Sequence, residues 1–233
     1  MFKRPQHNRI AQVLHALNGP LLRERCCLFA GGSAIAMRHG EYRESIDIDF
    51  LVSDPDGYRM LRELLKGPGG IAAIQREGGV PITQAREMRV DQYGIRTMLL
   101  VDKQPIKFEI VREGRIELAA PGKKDDVCGI ATLTLLDMAT SKLLANSDRW
   151  NDDGVFSRDV IDLAMMNPAL ALLRQAIAKA EPAYGAAIRD DLAKAIDALQ
   201  NRHGWLERCM QVMAMEMPKA LLWQQVRKLR RAL

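Results

Sequence analysis

The chain has 233 residues, 48% of them hydrophobic, 27% charged and 5% aromatic. That length carries one large domain or two small ones with a real core, and the mixture is that of a soluble globular protein. A net charge of +5 is compatible with an anionic partner without establishing one, and no apolar run approaches the ~18 residues that span a bilayer.

The first seven residues are basic but lead into no apolar signal core, so a cytoplasmic location is expected. Cys26, Cys27, Cys128 and Cys209 form no Cys-x-x-Cys pair, and Cys26 and Cys27 read as reduced core residues. In chain order, residues 6–17 predict an amphipathic helix, with Ile10, Val13, Leu14 and Leu17 at helical spacing. Asn18-Gly19-Pro20 ends it, and residues 21–25 read as a short connection. Residues 26–30 are short and apolar, as a buried strand should be. Gly31-Gly32-Ser33 then turns the chain into a helix that runs to His39 and stops at Gly40. The two glycines permit a tight turn and the close approach of a ligand. Ser33 falls where an N-cap would sit, and the free N–H groups of such a helix start suit a phosphate.

Ser45-Ile46-Asp47-Ile48-Asp49-Phe50-Leu51-Val52 predicts a strand carrying two acids. Alternation puts Asp47 and Asp49 on one face and Ile46, Ile48 and Phe50 on the other, against a core. Two neighbouring carboxylates repel unless a cation lies between them. Mg²⁺ favours a couple of carboxylates plus substrate phosphates over an all-protein cage. A Gly-Gly-Ser phosphate turn followed closely by an Asp-x-Asp pair therefore describes a site for a nucleoside triphosphate. Either half alone is more often a plain turn or a solvated strand face. Their order, with Arg43 and Ser45 just ahead of the acids, makes the pattern specific.

The strand ends at Ser53-Asp54-Pro55-Asp56-Gly57, and residues 58–66 predict a helix. From 71 to 118 the signal is β, with short strands at 88–92, 95–101, 105–111 and 115–118. Within 105–111, Ile106, Phe108 and Ile110 take one face and Lys107 and Glu109 the other. Apart from a short strand near Val127, the pattern is helical from about Thr134 onward. A boundary near Pro121 follows, giving domains 1–120 and 121–233. Residues 134–149 predict a helix carrying Lys142, and Arg158-Asp159-Val160-Ile161-Asp162-Leu163 opens the next. Taken alone, Lys107 and Glu109 read as the wet face of an edge strand. Asp159 and Asp162 alone read as acids bracing a helix beside Arg158.

The pattern Gly31-Gly32-Ser33, then Arg43-x-Ser45-x-Asp47-x-Asp49, resembles the nucleotidyltransferase fold shared with DNA polymerase beta. Within it, the chain is most similar to the AbiEii/AbiGii-type nucleotidyltransferases, many of which are toxins of type IV toxin–antitoxin pairs. The resemblance covers the motifs from Gly31 to Leu163. It implies an α+β fold, with a polymerase-beta-like domain built on a mixed sheet followed by an all-α domain that closes the active-site cleft. It implies a third acid, Glu109, joining Asp47 and Asp49 as metal ligand and catalytic group. The family's third motif often has a lysine two residues before that acid, as Lys107 is here, although many relatives carry Asp in place of Glu. It implies a fourth motif in which Lys142 precedes Arg158, Asp159 and Asp162. These residues, with Gly31, Gly32, Ser33, Arg43, Ser45 and Lys107, are expected around the nucleotide. The implied reaction moves an NMP from an NTP to an acceptor with the help of two Mg²⁺ ions. In the toxin branch the acceptor can be tRNA, so RNA is the leading acceptor, an antitoxin protein is an expected partner, and no membrane is involved. Two alternatives stay open: an enzyme acting on a small molecule such as an aminoglycoside, and a catalytically silent nucleotide-binding module. The basic balance argues against the first and the retention of the acids against the second.

Overall fold

A computed structural model describes residues 1–233. The chain forms two compact units, one of Met1–Glu41 with Ser45–Thr134 and one of Tyr42–Glu44 with Leu135–Leu233. Residues 121–134 therefore cluster with the first unit.

The first unit opens with α1 (Pro5–Ala16), whose proline supplies the fixed φ that suits a first helical turn. Asn18 does more than end it. Its Oδ1 accepts the amide of Leu21 and caps a short helix, α2 (Gly19–Glu24), where only a connection was expected. There follow β1 (Leu28–Ala30), α3 (Gly31–Arg38), β2 (Ile48–Val52) and α4 (Pro55–Lys66). After these come β3 (Thr83–Gln84), β4 (Arg89–Val90), β5 (Gly94–Val101), β6 (Gln104–Arg112) and a small hairpin of β7 (Asp126–Val127) and β8 (Ile130–Ala131). The main sheet is mixed, in the order β1-β2-β6-β5-β3, with β4 also paired to β5. β2 runs antiparallel to β1 and parallel to β6. β5 and β6 form a hairpin closed by Asp102 and Lys103, at φ 49° and 64°. Positive φ at both central residues is what a two-residue hairpin loop demands.

Phe29, Phe50 and Phe108 stack in series under the sheet, with ring centroids 5.7 and 5.6 Å apart, all fully buried. Each such side chain contributes about 1.5–3 kcal/mol by leaving water, so this row anchors the three strands nearest the acids. Two expectations fail here. Residues 115–118 form no strand, because the Arg115 amide and guanidinium both turn back onto the Glu113 carboxylate and the chain leaves the sheet. Of the cysteine pair only Cys27 is buried, while Cys26 is exposed at φ 52°.

The second unit is helical: α5 (Leu135–Arg149), α6 (Arg158–Met166), α7 (Leu170–Tyr184), α8 (Ala187–Asn201), α9 (Trp205–Val212) and α10 (Lys219–Leu229). α5 packs on α6, α7 and α8, and α10 packs on α6 and α8, around Leu143, Ile161, Ile177, Leu192, Ile196 and Leu222. Tyr42–Glu44 joins this unit, with the Glu44 amide donating to the Met213 carbonyl at 2.9 Å. No helix is long and apolar enough to cross a membrane.

Candidate active site

Strand register assembles the acids. Ala30 of β1, Asp49 of β2, Glu109 of β6 and Arg96 of β5 stand side by side across the sheet. Side chains alternate along each strand, so this row shares one face while Phe50 and Phe108 occupy the other. Glu109 thus stands next to Asp49, as the sequence suggests, although β2 and β6 are joined as parallel neighbours and the hairpin partner of β6 is β5. The Glu109 carboxylate accepts from Arg96 Nε at 2.9 Å and from Lys107 Nζ at 2.5 Å. Arg96 also bonds Asp91 at 3.1 Å. Arg96 is the residue the sequence reading missed. Its only signal was a charge alternating with the apolar residues of a strand.

Asp47 precedes the strand and is half-buried, like Asp49. Its neighbour Ile46 is not in the core but 58% exposed, because pairing begins only at Ile48. Ser33 is not an N-cap either. α3 starts at Gly31 with no side-chain cap, and Ser33 lies buried in its first turn. The Ser33 hydroxyl donates to the Asp47 carbonyl at 2.5 Å and lies 2.9 Å from Ser45 Oγ. It ties the glycine turn to the loop that carries the first acid.

Gly31 is at φ +69°, and a Cβ there would fall 2.4 Å from Asp49 Oδ2. Glycine is required twice, for the left-handed backbone and for the close approach of the turn to the acid. The opening amides of α3 have no partner within the helix and carry the positive end of its dipole. The start of α3 therefore adjoins the Asp49 carboxylate. No group of three or more acid, histidine or cysteine side chains converges in a metal-binding cluster, and Glu109 faces its two cations.

The residues expected from the fourth motif meet one another inside the second unit. Asp162, fully buried, accepts from Arg43 at 2.6 and 2.8 Å, from the Tyr42 hydroxyl at 2.5 Å and from Lys142 at 2.7 Å. Lys142 also reaches Asp159 at 2.9 Å, and Arg149 grips the same carboxylate at 2.7 and 3.0 Å. Burial alone would raise the Asp162 carboxyl, but Arg43 and Lys142 outweigh it and hold it well below the ordinary carboxylate range. Asp159 is lowered in the same way, its burial overcome by Lys142 and Arg149. Burial would lower Lys142, yet the two aspartates raise it above an ordinary lysine. Arg158 takes no part in this network and is half-exposed.

A glycine-led helix start packed on an acid of a mixed sheet occurs here in a chain whose family match defines its class as a nucleotidyltransferase. The family described as "Nucleotidyl transferase AbiEii toxin, Type IV TA system" matches residues 13–228, and the chain belongs to it. No curated protein matches the chain significantly. Among solved structures, JHP933 from Helicobacter pylori is similar at a TM-score of 0.56 and 14% identity, over 99% of this chain and 94% of that one. A candidate nucleotidyltransferase from H. pylori is similar at a TM-score of 0.50 and 16% identity, over 97% and 93%. At such identities the likeness is one of fold. The α+β architecture and the enzyme class expected from the motifs are both met.

Proposed function

We propose that the chain transfers an NMP from an NTP to RNA, with tRNA the leading acceptor, in a Mg²⁺-dependent reaction in the cytoplasm, and that it is the toxin of a type IV pair with an antitoxin protein as partner. The observation that carries this reading is the pairing of Asp49 with Glu109 across β2 and β6, with Gly31 packed on Asp49. The donor set fits the metal: Asp47 and Asp49 supply the one or two carboxylates that Mg²⁺ uses beside substrate phosphates. When bound, the divalent cations offset charge on the phosphoryl oxygens.

The chain's own residues do the rest. The Gly31, Gly32 and Ser33 turn holds phosphate oxygens through its amides. Lys107 and Arg96 fix both oxygens of Glu109. The acceptor hydroxyl oxygen bonds to the α-phosphorus, the bond from that phosphorus to the β-bridging oxygen breaks, and pyrophosphate leaves. The hydroxyl proton passes to Glu109. Rate comes from positioning and charge complementarity. Ser45 orders the acid loop through Ser33. Arg43, Lys142, Asp159 and Asp162 lock their segments through the buried ion network, which leaves Arg158 as the fourth-motif cation available to a phosphate. The acceptor is read as RNA because Arg227, Lys228 and Arg231 are exposed at the end of a chain that carries no acidic side chain after Glu216.

The test is incubation with each α-³²P-labelled NTP, Mg²⁺ and total tRNA, followed by a denaturing gel. Label on RNA from one nucleotide is expected, lost in Asp47→Ala and Asp49→Ala. Label on a small molecule or a protein would overturn the acceptor and keep the chemistry. Turnover unchanged in Asp49→Ala would sink the site assignment.

A further inference from the structure

The loop that delivers Asp47 has no regular structure. Residues 41–47 lie outside any strand or helix, and within them only the amides of Glu41 and Glu44 bond to backbone, at Ala36 and Met213. Yet Asp47 must be held to a fraction of an ångström if it is to share a cation with Asp49. The N-terminal segment supplies what the loop lacks. His7, on α1 and fully buried, lies with Nδ1 2.9 Å from Glu41 Oε2. The Ser45 amide donates to His7 Nε2 at 3.3 Å. Since Nε2 accepts, the ring proton sits on Nδ1 and is donated to Glu41, so one neutral tautomer serves both bonds. Glu41 and Ser45 are the residues on either side of Tyr42–Glu44, the stretch that joins the second unit. His7 therefore closes the neck of that excursion.

Neighbouring residues complete the grip. The Lys3 and Arg4 amides donate to the Glu41 carboxylate at 2.7 and 3.0 Å, and Arg4 Nε donates to its carbonyl at 3.0 Å. Gln6 Nε2 donates to the Ile46 carbonyl at 3.3 Å. Glu41 itself is at φ 57°, a conformation that persists only when its surroundings hold it. From Ser45 the chain of contacts continues through Ser33 to the Asp47 carbonyl. The segment lies ahead of residue 13, where the family match begins.

We infer that residues 3–7, centred on His7, form a clamp that sets the position of Asp47, making His7 a positioning residue for the acid pair. The inference rests on the reading of Asp47 and Asp49 as metal ligands. In support, burial of Glu41 is overcome by the Lys3 and Arg4 amides and His7, which hold its carboxyl below the ordinary range and so keep it an acceptor.

The test uses the full chain with His7→Phe, which keeps bulk and removes both polar atoms, and His7→Gln, which keeps a donor and an acceptor. Two quantities are read: Mn²⁺ affinity, from the free-ion spin-resonance signal, and amide exchange over residues 41–48 by mass spectrometry. His7→Phe should keep its thermal transition, expose the Ser45 amide to exchange and weaken Mn²⁺ by about 10–100-fold, with His7→Gln within about threefold of wild type. Unchanged loop exchange and Mn²⁺ affinity in folded His7→Phe would overturn the clamp, as would a glutamine variant no better than phenylalanine. If His7→Phe does not fold, Gln6→Ala must raise exchange in the same loop, and no rise would overturn the inference. Absence of Asp49-dependent Mn²⁺ binding in the wild type would instead strike the metal reading, and exchange alone would then decide the clamp.

Discussion

Gly31 and Asp162 show how a single residue can be bound by two constraints at once. Gly31→Ala puts a Cβ 2.4 Å from Asp49 Oδ2 in a backbone region that costs an L-residue about 1–2 kcal/mol. Asp49 cannot retreat without leaving its place beside Glu109. Pyrophosphate release should therefore fall by more than the lowered thermal midpoint accounts for, and measuring both on one preparation checks it. Asp162 is a different case, an anion held by two cations and a phenol away from water. Asp162→Ala leaves Arg43 and Lys142 underpaired and should cost about 3–5 kcal/mol in a denaturant titration. The network also sets a pH response. Asp159 and Asp162 have lowered folded values, so their contribution is complete above the unfolded carboxylate value of about 3.9 and is lost as pH falls through the folded one. Lys142 is raised, so its contribution is complete below about 10.4 and is lost only as pH rises through the raised value. Denaturant midpoints followed from neutral pH into acid should drop for the wild type and be flatter, from a lower start, for Asp162→Asn.

Elements matter here through what they bring into register. β5 was legible as a short apolar run bounded by turns and β6 because Ile106, Phe108 and Ile110 alternate with Lys107 and Glu109, and the face of Glu109 followed from that alternation. α2 was not legible, since Gly19-Pro20 carries the signature of a stop and only the Asn18 cap turns it into a start. β3, two residues long, has no period to detect. Two substitutions separate framework from chemistry. Arg96→Ala removes a half-exposed partner of Glu109, an interaction worth at most about 1 kcal/mol. It should leave the thermal midpoint nearly unchanged and lower turnover. Asp54→Ala is the converse. Its carboxylate accepts the Gly57 amide at 2.6 Å and caps α4, so its loss should cost about 1 kcal/mol of stability and leave kcat untouched. The reverse pattern in either variant would show that the row across the sheet has been misread.

For the whole molecule, the two units place different demands on the chain. The first holds the glycine turn and the acids, and the second sequesters a cluster of charges that includes Arg43, with Tyr42 beside it, from the N-terminal half. A nucleotide that binds only the native state stabilises it by about 2.7 kcal/mol at a hundred times its dissociation constant. Thermal unfolding should therefore shift upward with Mg²⁺ and the cognate NTP, return to baseline with a chelator, and not shift in Asp49→Ala. A shift that survives that substitution would place nucleotide binding elsewhere in the molecule.

The features that the sequence by itself determined are local ones. A glycine-led helix start, a strand bearing Asp49, a hairpin bearing Glu109 and a helical C-terminal half all declare themselves through φ requirements and periods of 2 and 3.6, which neighbouring residues set among themselves. Tertiary structure alone decided the partners. Arg43 meets Asp162 across 119 residues of chain, Ser45 meets His7 across 38, and Arg96 holds Glu109 from the next strand. Sequence spacing does not encode which of several acids or cations will be buried against which. That choice follows from the register of parallel β2 and β6 and from the high cost of leaving any of these charges desolvated without a partner.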